Sequence, residues 1–164
     1  MCGIVGYIGR QQAVPVLLAG LKKLEYRGYD SAGIAISNGE RTEIFKCAGR
    51  VRDLEEMVRS KDFDGSIAMG HTRWATHGEP NDVNAHPHVS MHGKFAIIHN
   101  GIIENYQEIK TKLISKGHIF STDSDSETIL HLYEQYGEKC LSRLRGQYSF
   151  CLWDSGKKLM FAAR

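Results

Sequence analysis

Short apolar runs broken by polar turns dominate the first half of the chain. Gly3–Ile8 (GIVGYI) is one such run and predicts a buried strand almost at the N-terminus. Val14, Leu17, Leu18, Leu21 and Leu24 then recur at helical spacing, with Pro15 tolerated in the first turn. After the turn-like Arg27-Gly28-Tyr29-Asp30, two strand patterns, Ser31–Ser37 and Thr42–Cys47, flank the turn Asn38-Gly39. Leu54 and Val58, one turn apart, predict a short helix. Ser66–His71 and Phe95–His99 read as further strands, and Thr72–His92 between them as a long polar loop rich in His, Asn, Pro and Gly. Helical spacing returns at Glu104–Lys116, with Tyr106, Ile109 and Leu113 on one face. It appears again at Ser126–Tyr136, with Ile129, Leu130 and Tyr133 facing in. Gln147–Asp154 and Lys158–Ala163 predict a closing hairpin about Ser155-Gly156. Strands and helices come in blocks and not in strict βαβ alternation. That disfavours a nucleotide-binding doubly wound sheet and favours layered strands with helices packed outside. The final strand pattern runs almost to Arg164, so the expectation is a C-terminally incomplete domain.

Composition narrows the function classes. With 164 residues, 41% of them hydrophobic, the chain can bury one real core. Its formal charge is +2 and the basic residues are scattered, so neither nucleic acid nor an anionic membrane is an expected partner. No apolar run is long enough to span a bilayer, and the N-terminus MCGIVGYIGR lacks the layout of a secretory signal. Four cysteines stand at 2, 47, 140 and 151 without CxxC spacing, which favours reduced thiols in the cytoplasm.

Cys2 has an unusual chemical option. Once Met1 is trimmed, its own α-amine, with an ordinary pKa of about 7.7–8.0, can act as base toward its thiol. A small buried thiol is the bland alternative. The segment His71-Thr72-Arg73-Trp74-Ala75-Thr76-His77-Gly78 offers a planar guanidinium for a carboxylate, an apolar wall and several hydrogen-bonding groups. It reads equally as a solvated loop with one packed Trp. Asn100-Gly101, at the end of the FAIIH strand, can donate two N–H groups to an oxyanion, or form a common turn. Thr122-Asp123-Ser124-Asp125-Ser126-Glu127 is a helix start whose acids could also hold an ammonium. The eight histidines, including His86, His88 and His92, match no standard zinc spacing such as HExxH, so no catalytic metal is expected. There is no P-loop and no GxGxxG fingerprint, so no sugar-phosphate turnover is expected of this chain.

Taken together these stretches resemble a known family. Met1–Gly6 (MCGIVG), Leu24–Gly33 (LEYRGYDSAG), His71–Pro80 (HTRWATHGEP), Asn84–His88 (NAHPH), His99–Asn105 (HNGIIEN) and Ser124–Glu127 (SDSE) are similar to the glutaminase domain of glutamine–fructose-6-phosphate aminotransferases (glucosamine-6-phosphate synthases). That domain is a class II glutamine amidotransferase of the N-terminal nucleophile hydrolase superfamily. The resemblance spans Met1 to Arg164, and YRGYDSAG and HTRWATHG point to this type over its asparagine synthetase, glutamate synthase and purine relatives. It implies an α+β fold, a four-layer αββα sandwich of two antiparallel sheets flanked by helices. It implies a single truncated glutaminase domain, residues 1–164, without the sugar isomerase domain. It implies Cys2 as nucleophile, Asn100 and Gly101 as oxyanion hole, and Arg73 and Asp125 on the α-carboxylate and α-ammonium of L-glutamine. Trp74, Thr76 and His77 would shape the pocket, and Arg27 would position groups near the nucleophile. No metal and no cofactor are implied. The alternatives are a catalytically incompetent glutamine-binding fragment, or another N-terminal nucleophile amidohydrolase.

Overall fold

The computed structural model describes residues 2–75 and 78–164. Its elements follow one another as β1 (Gly3–Ile8), α1 (Ala13–Leu24), β2 (Ser31–Ser37), β3 (Thr42–Ala48), α2 (Val51–Val58) and β4 (Ile67–Arg73). They continue as β5 (His88–Val89), β6 (Phe95–Ile103), α3 (Tyr106–Ile114), α4 (Ser126–Tyr136), β7 (Gly146–Asp154) and β8 (Leu159–Ala163). Short 3-10 turns lie at Glu25–Arg27 and Gly137–Arg143.

The strands form two antiparallel four-stranded sheets, ordered β1-β4-β2-β3 and β5-β6-β7-β8. Side chains alternate across each strand, and the two faces have different partners. On β2, Ala32, Ile34 and Ile36 pack under α1 and α2, with Leu17, Leu21 and Leu54 opposite them. Ala35 points the other way, into the gap between the sheets. There it meets Met69 of β4, Ala96 and Ile98 of β6, and Cys151 and Trp153 of β7. On the far side of β6 and β7, Ile97, Phe150 and Leu152 pack under α3 and α4 against Ile109, Leu113, Ile129 and Leu130. The result is the expected αββα order of layers.

Local chemistry explains where elements turn. Asn38 Oδ1 accepts the N–H groups of Glu40 and Arg41 at 3.0 and 2.9 Å, which closes the β2–β3 hairpin over Gly39. At the start of α2, Asp53 Oδ2 accepts the Arg50 N–H at 2.7 Å, one arm of a capping box.

Two expectations are corrected. Asn100-Gly101 does not end its strand: β6 runs on to Ile103, with Asn100 opposite Ser149 and Gly101 opposite Tyr148. The φ of +123° at Gly101 lets the strand bend past Gln147, whose carbonyl oxygen occupies the place of any Cβ there. Nor is Thr72–His92 simply a polar surface loop. Its first two residues finish β4, His88 and Val89 form β5, and Asn84, Ala85, His86, His88 and Ser90 are buried. These side chains fill the end of the sandwich, where Asn84, His86 and Ser90 hydrogen-bond to Glu79, Ser126 and Phe95 and His88 packs on the His86 ring.

Ile98 is fully buried between the sheets, on β6 two residues before Asn100. Its replacement by Ala is expected to cost about 2–5 kcal/mol of stability. Chemical denaturation measures the loss, and a change under about 1 kcal/mol would show that the inter-sheet layer is not the packed core described.

Candidate active site

Cys2 lies immediately before β1, and the register of β1 with β4 brings it beside the end of β4. The Trp74 backbone N–H donates to Cys2 Sγ at 3.1 Å. From the other sheet, Asn100 Nδ2 donates to the Cys2 carbonyl oxygen at 3.0 Å. Asn100 is itself oriented by His71, whose Nε2 lies 2.9 Å from both Asn100 Oδ1 and the His99 carbonyl oxygen. Both neighbours are acceptors, so His71 Nε2 carries a proton, and the Asn100 carboxamide turns its NH2 toward Cys2. Asn100 has a second amide hydrogen besides the one given to Cys2.

The thiol opens onto a cavity of about 440 Å³. Arg27, Arg73, Trp74, Asn100, Gly101, Ser124, Asp125 and Tyr148 are among its walls. The Arg73 side chain is anchored by the carbonyl oxygens of Gly78 and Glu79, each at 3.2 Å. Asp125 stands at the N-cap of α4 but caps nothing with its side chain. Its Oδ2 accepts the Ile103 N–H across the cavity wall at 2.8 Å. Both groups are almost wholly buried in the protein, one cationic and one anionic. Trp74 is half exposed and packs edge-on to Tyr29, with ring centroids 5.5 Å apart.

Seven of the nine sequence-predicted site residues therefore line one cavity: Cys2, Arg27, Arg73, Trp74, Asn100, Gly101 and Asp125. Thr76 and His77 lie outside the described residues. Within SDSE the two acids divide their tasks. Glu127 turns away from the cavity and accepts the N–H and hydroxyl groups of Ser121 and Thr122 at 2.8–2.9 Å. Sequence reasoning missed His71, Asp30 and Ser126. Asp30 Oδ2 accepts the Ala75 N–H and holds the strand end that carries Arg73 and Trp74. Ser126 Oγ lies 2.9 Å from His86 Nε2 and 2.8 Å from His99 Nδ1. The period-two alternation of Ser66–His71 carried the signal for His71, since it puts His71 on the face of Met69.

Burial raises the Cys2 thiol above its ordinary value, and the Trp74 N–H and Arg73 charge only partly offset that. Near neutral pH the sulfur is thus largely a thiol and needs a base. Burial also pulls His71 down to about 4 and His88 down to about 3, and drives His86 well below the ordinary range. Neighbouring positive groups, Arg73 and for His88 also Lys46, add to the effect.

A family comparison decides the class. The family described as "Glutamine amidotransferase domain" matches residues 45–164. The chain belongs to the glutamine amidotransferase domain family. Among curated relatives, a protein of Thermococcus kodakarensis named glutamine–fructose-6-phosphate aminotransferase (isomerizing) is 48% identical over 93% of this chain and 27% of its own length. A relative of the same name from Bacteroides thetaiotaomicron is 56% identical over 82% of this chain and 22% of its own length. The amidotransferase chain thus spans about a quarter of the curated relatives it matches. A solved glutamine phosphoribosylpyrophosphate amidotransferase from B. subtilis superposes with a TM-score of 0.80. It is 29% identical, with 93% of this chain and 35% of that one covered. The αββα sandwich is accordingly of the N-terminal nucleophile hydrolase type.

The buried rings give this domain an acid limit. Below pH ~6.5 the unfolded chain protonates His71, His86 and His88, which burial keeps neutral in the fold. Their contribution is fully present above that value and lost as pH falls toward about 4. His131 acts in the opposite sense: burial lowers it, but hydrogen bonds to Glu127 and Glu134 outweigh this and leave it raised. One ring opposes three, so melting temperature is expected to drop steadily between pH ~6.5 and ~4.5. Calorimetric melts that stay flat across that window would contradict neutral buried rings.

Proposed function

We propose that this domain hydrolyses the side-chain amide of L-glutamine to glutamate and ammonia, with Cys2 as nucleophile. The supporting observation is the convergence of the Cys2 thiol and the Asn100 carboxamide on a cavity that also holds one buried guanidinium and one buried carboxylate. Arg73 and Asp125 are suited to the α-carboxylate and α-ammonium of a free amino acid. A substrate held at both ends presents its amide to the thiol.

The raised thiol pKa makes a base necessary, and the α-amine exposed by Met1 removal is the nearest candidate. In this reading the amine takes the thiol proton and Cys2 Sγ attacks the amide carbon of glutamine. The second Asn100 N–H and the Gly101 N–H hold the oxyanion. The α-ammonium returns its proton to the departing nitrogen, which leaves as ammonia. Water, deprotonated by the same amine, then opens the γ-glutamyl thioester and frees glutamate. His71 keeps the Asn100 amide turned the right way, Arg27 positions groups beside the nucleophile, and Trp74, Thr76 and His77 shape the pocket. The names of the longer relatives support a further step. Joined to a sugar isomerase domain, the glutaminase would pass ammonia to fructose 6-phosphate and yield glucosamine 6-phosphate. The four unbridged cysteines suit a reducing, cytoplasmic setting.

Glutaminase assays on three variants test this reading. Cys2→Ala is expected to abolish turnover while calorimetry still detects glutamine binding. Asn100→Ala is expected to lower kcat by about 10²–10³-fold with little change in KM, as for loss of one oxyanion donor. Arg73→Ala is expected to weaken glutamine binding. Full activity of Cys2→Ala would falsify the mechanism, and unchanged affinity in Arg73→Ala would favour a different amide substrate.

A further inference from the structure

Past the midpoint of α4 lies a second polar cluster, away from the cavity described above. His118 follows α3, while His131 and Glu134 sit one turn apart on α4. His118 Nδ1 and His131 Nδ1 are 3.3 Å apart. Glu134 Oε2 is 3.4 Å from the first and 3.3 Å from the second. The three atoms form a nearly equilateral triangle.

Oxygen atoms face the outer nitrogens of both rings. His131 Nε2 faces the buried carboxylate of Glu127 at 3.6 Å, and His118 Nε2 lies 3.2 Å from Gln135 Oε1. Glu127 accepts the N–H and hydroxyl groups of both Ser121 and Thr122, as a carboxylate does. In the Nε2–H tautomer each ring points its proton toward one of these oxygens and turns the Nδ1 lone pair inward. His131 Nδ1 lies within hydrogen-bond distance of Glu134 Oε2 at 3.3 Å, and an ion held by the two Nδ1 atoms and that oxygen would replace this contact.

The spacing supplies the second argument. Bonds of about 2.0–2.1 Å at a tetrahedral angle separate two ligand atoms by about 3.3–3.4 Å. An octahedral right angle at the same bond length gives about 3.0 Å. We propose that His118, His131 and Glu134 form a tetrahedral zinc site, with the oxygens of Glu127 and Gln135 facing the outer nitrogens of the two histidines. The fourth position opens on a small cavity of about 160 Å³, lined by Met91 and His92, where water or the His92 ring can complete the shell. Phe120 packs against His131, ring centroids 4.6 Å apart, and closes one flank. The site is not catalytic, because neither the cavity nor the nucleophile adjoins it. It ties the segment after α3 to the middle of α4.

Metal-free full chain carrying Cys2→Ala tests the proposal, since that variant removes the N-terminal thiol as a competing zinc ligand. Calorimetric titration with zinc chloride is expected to give one ion per chain, and added zinc is expected to raise the melting temperature. In the same background His118→Asn and Glu134→Gln are each expected to weaken zinc binding by more than about a hundredfold. Glu134 is about one-third exposed, so its isosteric replacement leaves the fold intact, and circular dichroism checks this. Cobalt in place of zinc is expected to show the intense visible absorption of a tetrahedral centre. Folded Cys2→Ala protein that binds no zinc, variants that bind it undiminished, or a weak octahedral cobalt spectrum would each overturn the assignment.

Discussion

Strand β4 and the first half of β6, up to His99, have no solvent face, and that constraint organises both the core and the site. Each must supply apolar side chains on both sides, one row to its helices and one to the opposite sheet. Because the side-chain period is two, this fixes the destination of every later residue on the strand. Met69 commits His71 to the inter-sheet gap, and Ile98 commits Asn100 to the same gap. Their contact at 2.9 Å is a consequence of that parity. A one-residue slip of either strand would bury an apolar face correctly nowhere and would move both polar groups out of the gap. The apolar layer thus acts as the ruler that positions the Cys2–Asn100–His71 arrangement.

At the open end of the sandwich polar side chains take over from the apolar layer. The His71 and His86 ring centroids are 4.2 Å apart and those of His86 and His88 4.4 Å apart, while His99, on the α4 side of β6, shares Ser126 Oγ with His86. Four rings so close cannot all be charged, and burial keeps His71, His86 and His88 neutral. Neutral imidazoles leave the cationic charge of the cavity wall to its arginines, of which Arg73 is the buried one. They also let His71 donate through a single defined nitrogen, which holds one carboxamide in one orientation. A charged layer would repel the buried guanidinium and draw water into the wall.

Much of this was legible in the sequence. The apolar runs of β1, β2 and β3 and the helical spacing of α1 and α4 are strong because each buries its pattern against one neighbour. The convergence of Cys2, Arg73, Asn100 and Asp125 on one cavity was legible because their chemistry is unusual for their positions and because the surrounding motifs match a family. The misreadings have a common physical origin. Thr72–His92 is polar yet buried, and polarity alone cannot distinguish a solvated loop from one whose groups bond to each other. Asn-Gly reads as a turn from local preference, but the ladder to Ser149 and Tyr148 carries the strand through it. His71 and Asp30 were invisible as positioning groups because their partners, Asn100 and Ala75, are remote in sequence.

Helix α4 shows how far such remote partnering extends. Its residues from Ser126 to Tyr133 are buried without interruption, although only part of that stretch is apolar. One face packs into the core through Ile129, Leu130 and Tyr133. The rest is covered by polar neighbours: His86 and His99 on Ser126, the 121–122 backbone on Glu127, and His118 beside His131. Buried polar groups of this kind must be satisfied, and each partner comes from a different segment of the chain. The helix therefore cannot shift along its axis without breaking bonds on several sides. Asp125, at its first position, inherits that rigidity. The Glu127–His131 contact extends it a full turn further, to the ring that meets His118 and Glu134. An ion held there would fasten the middle of the same rigid helix whose N-terminus presents a carboxylate to the cavity.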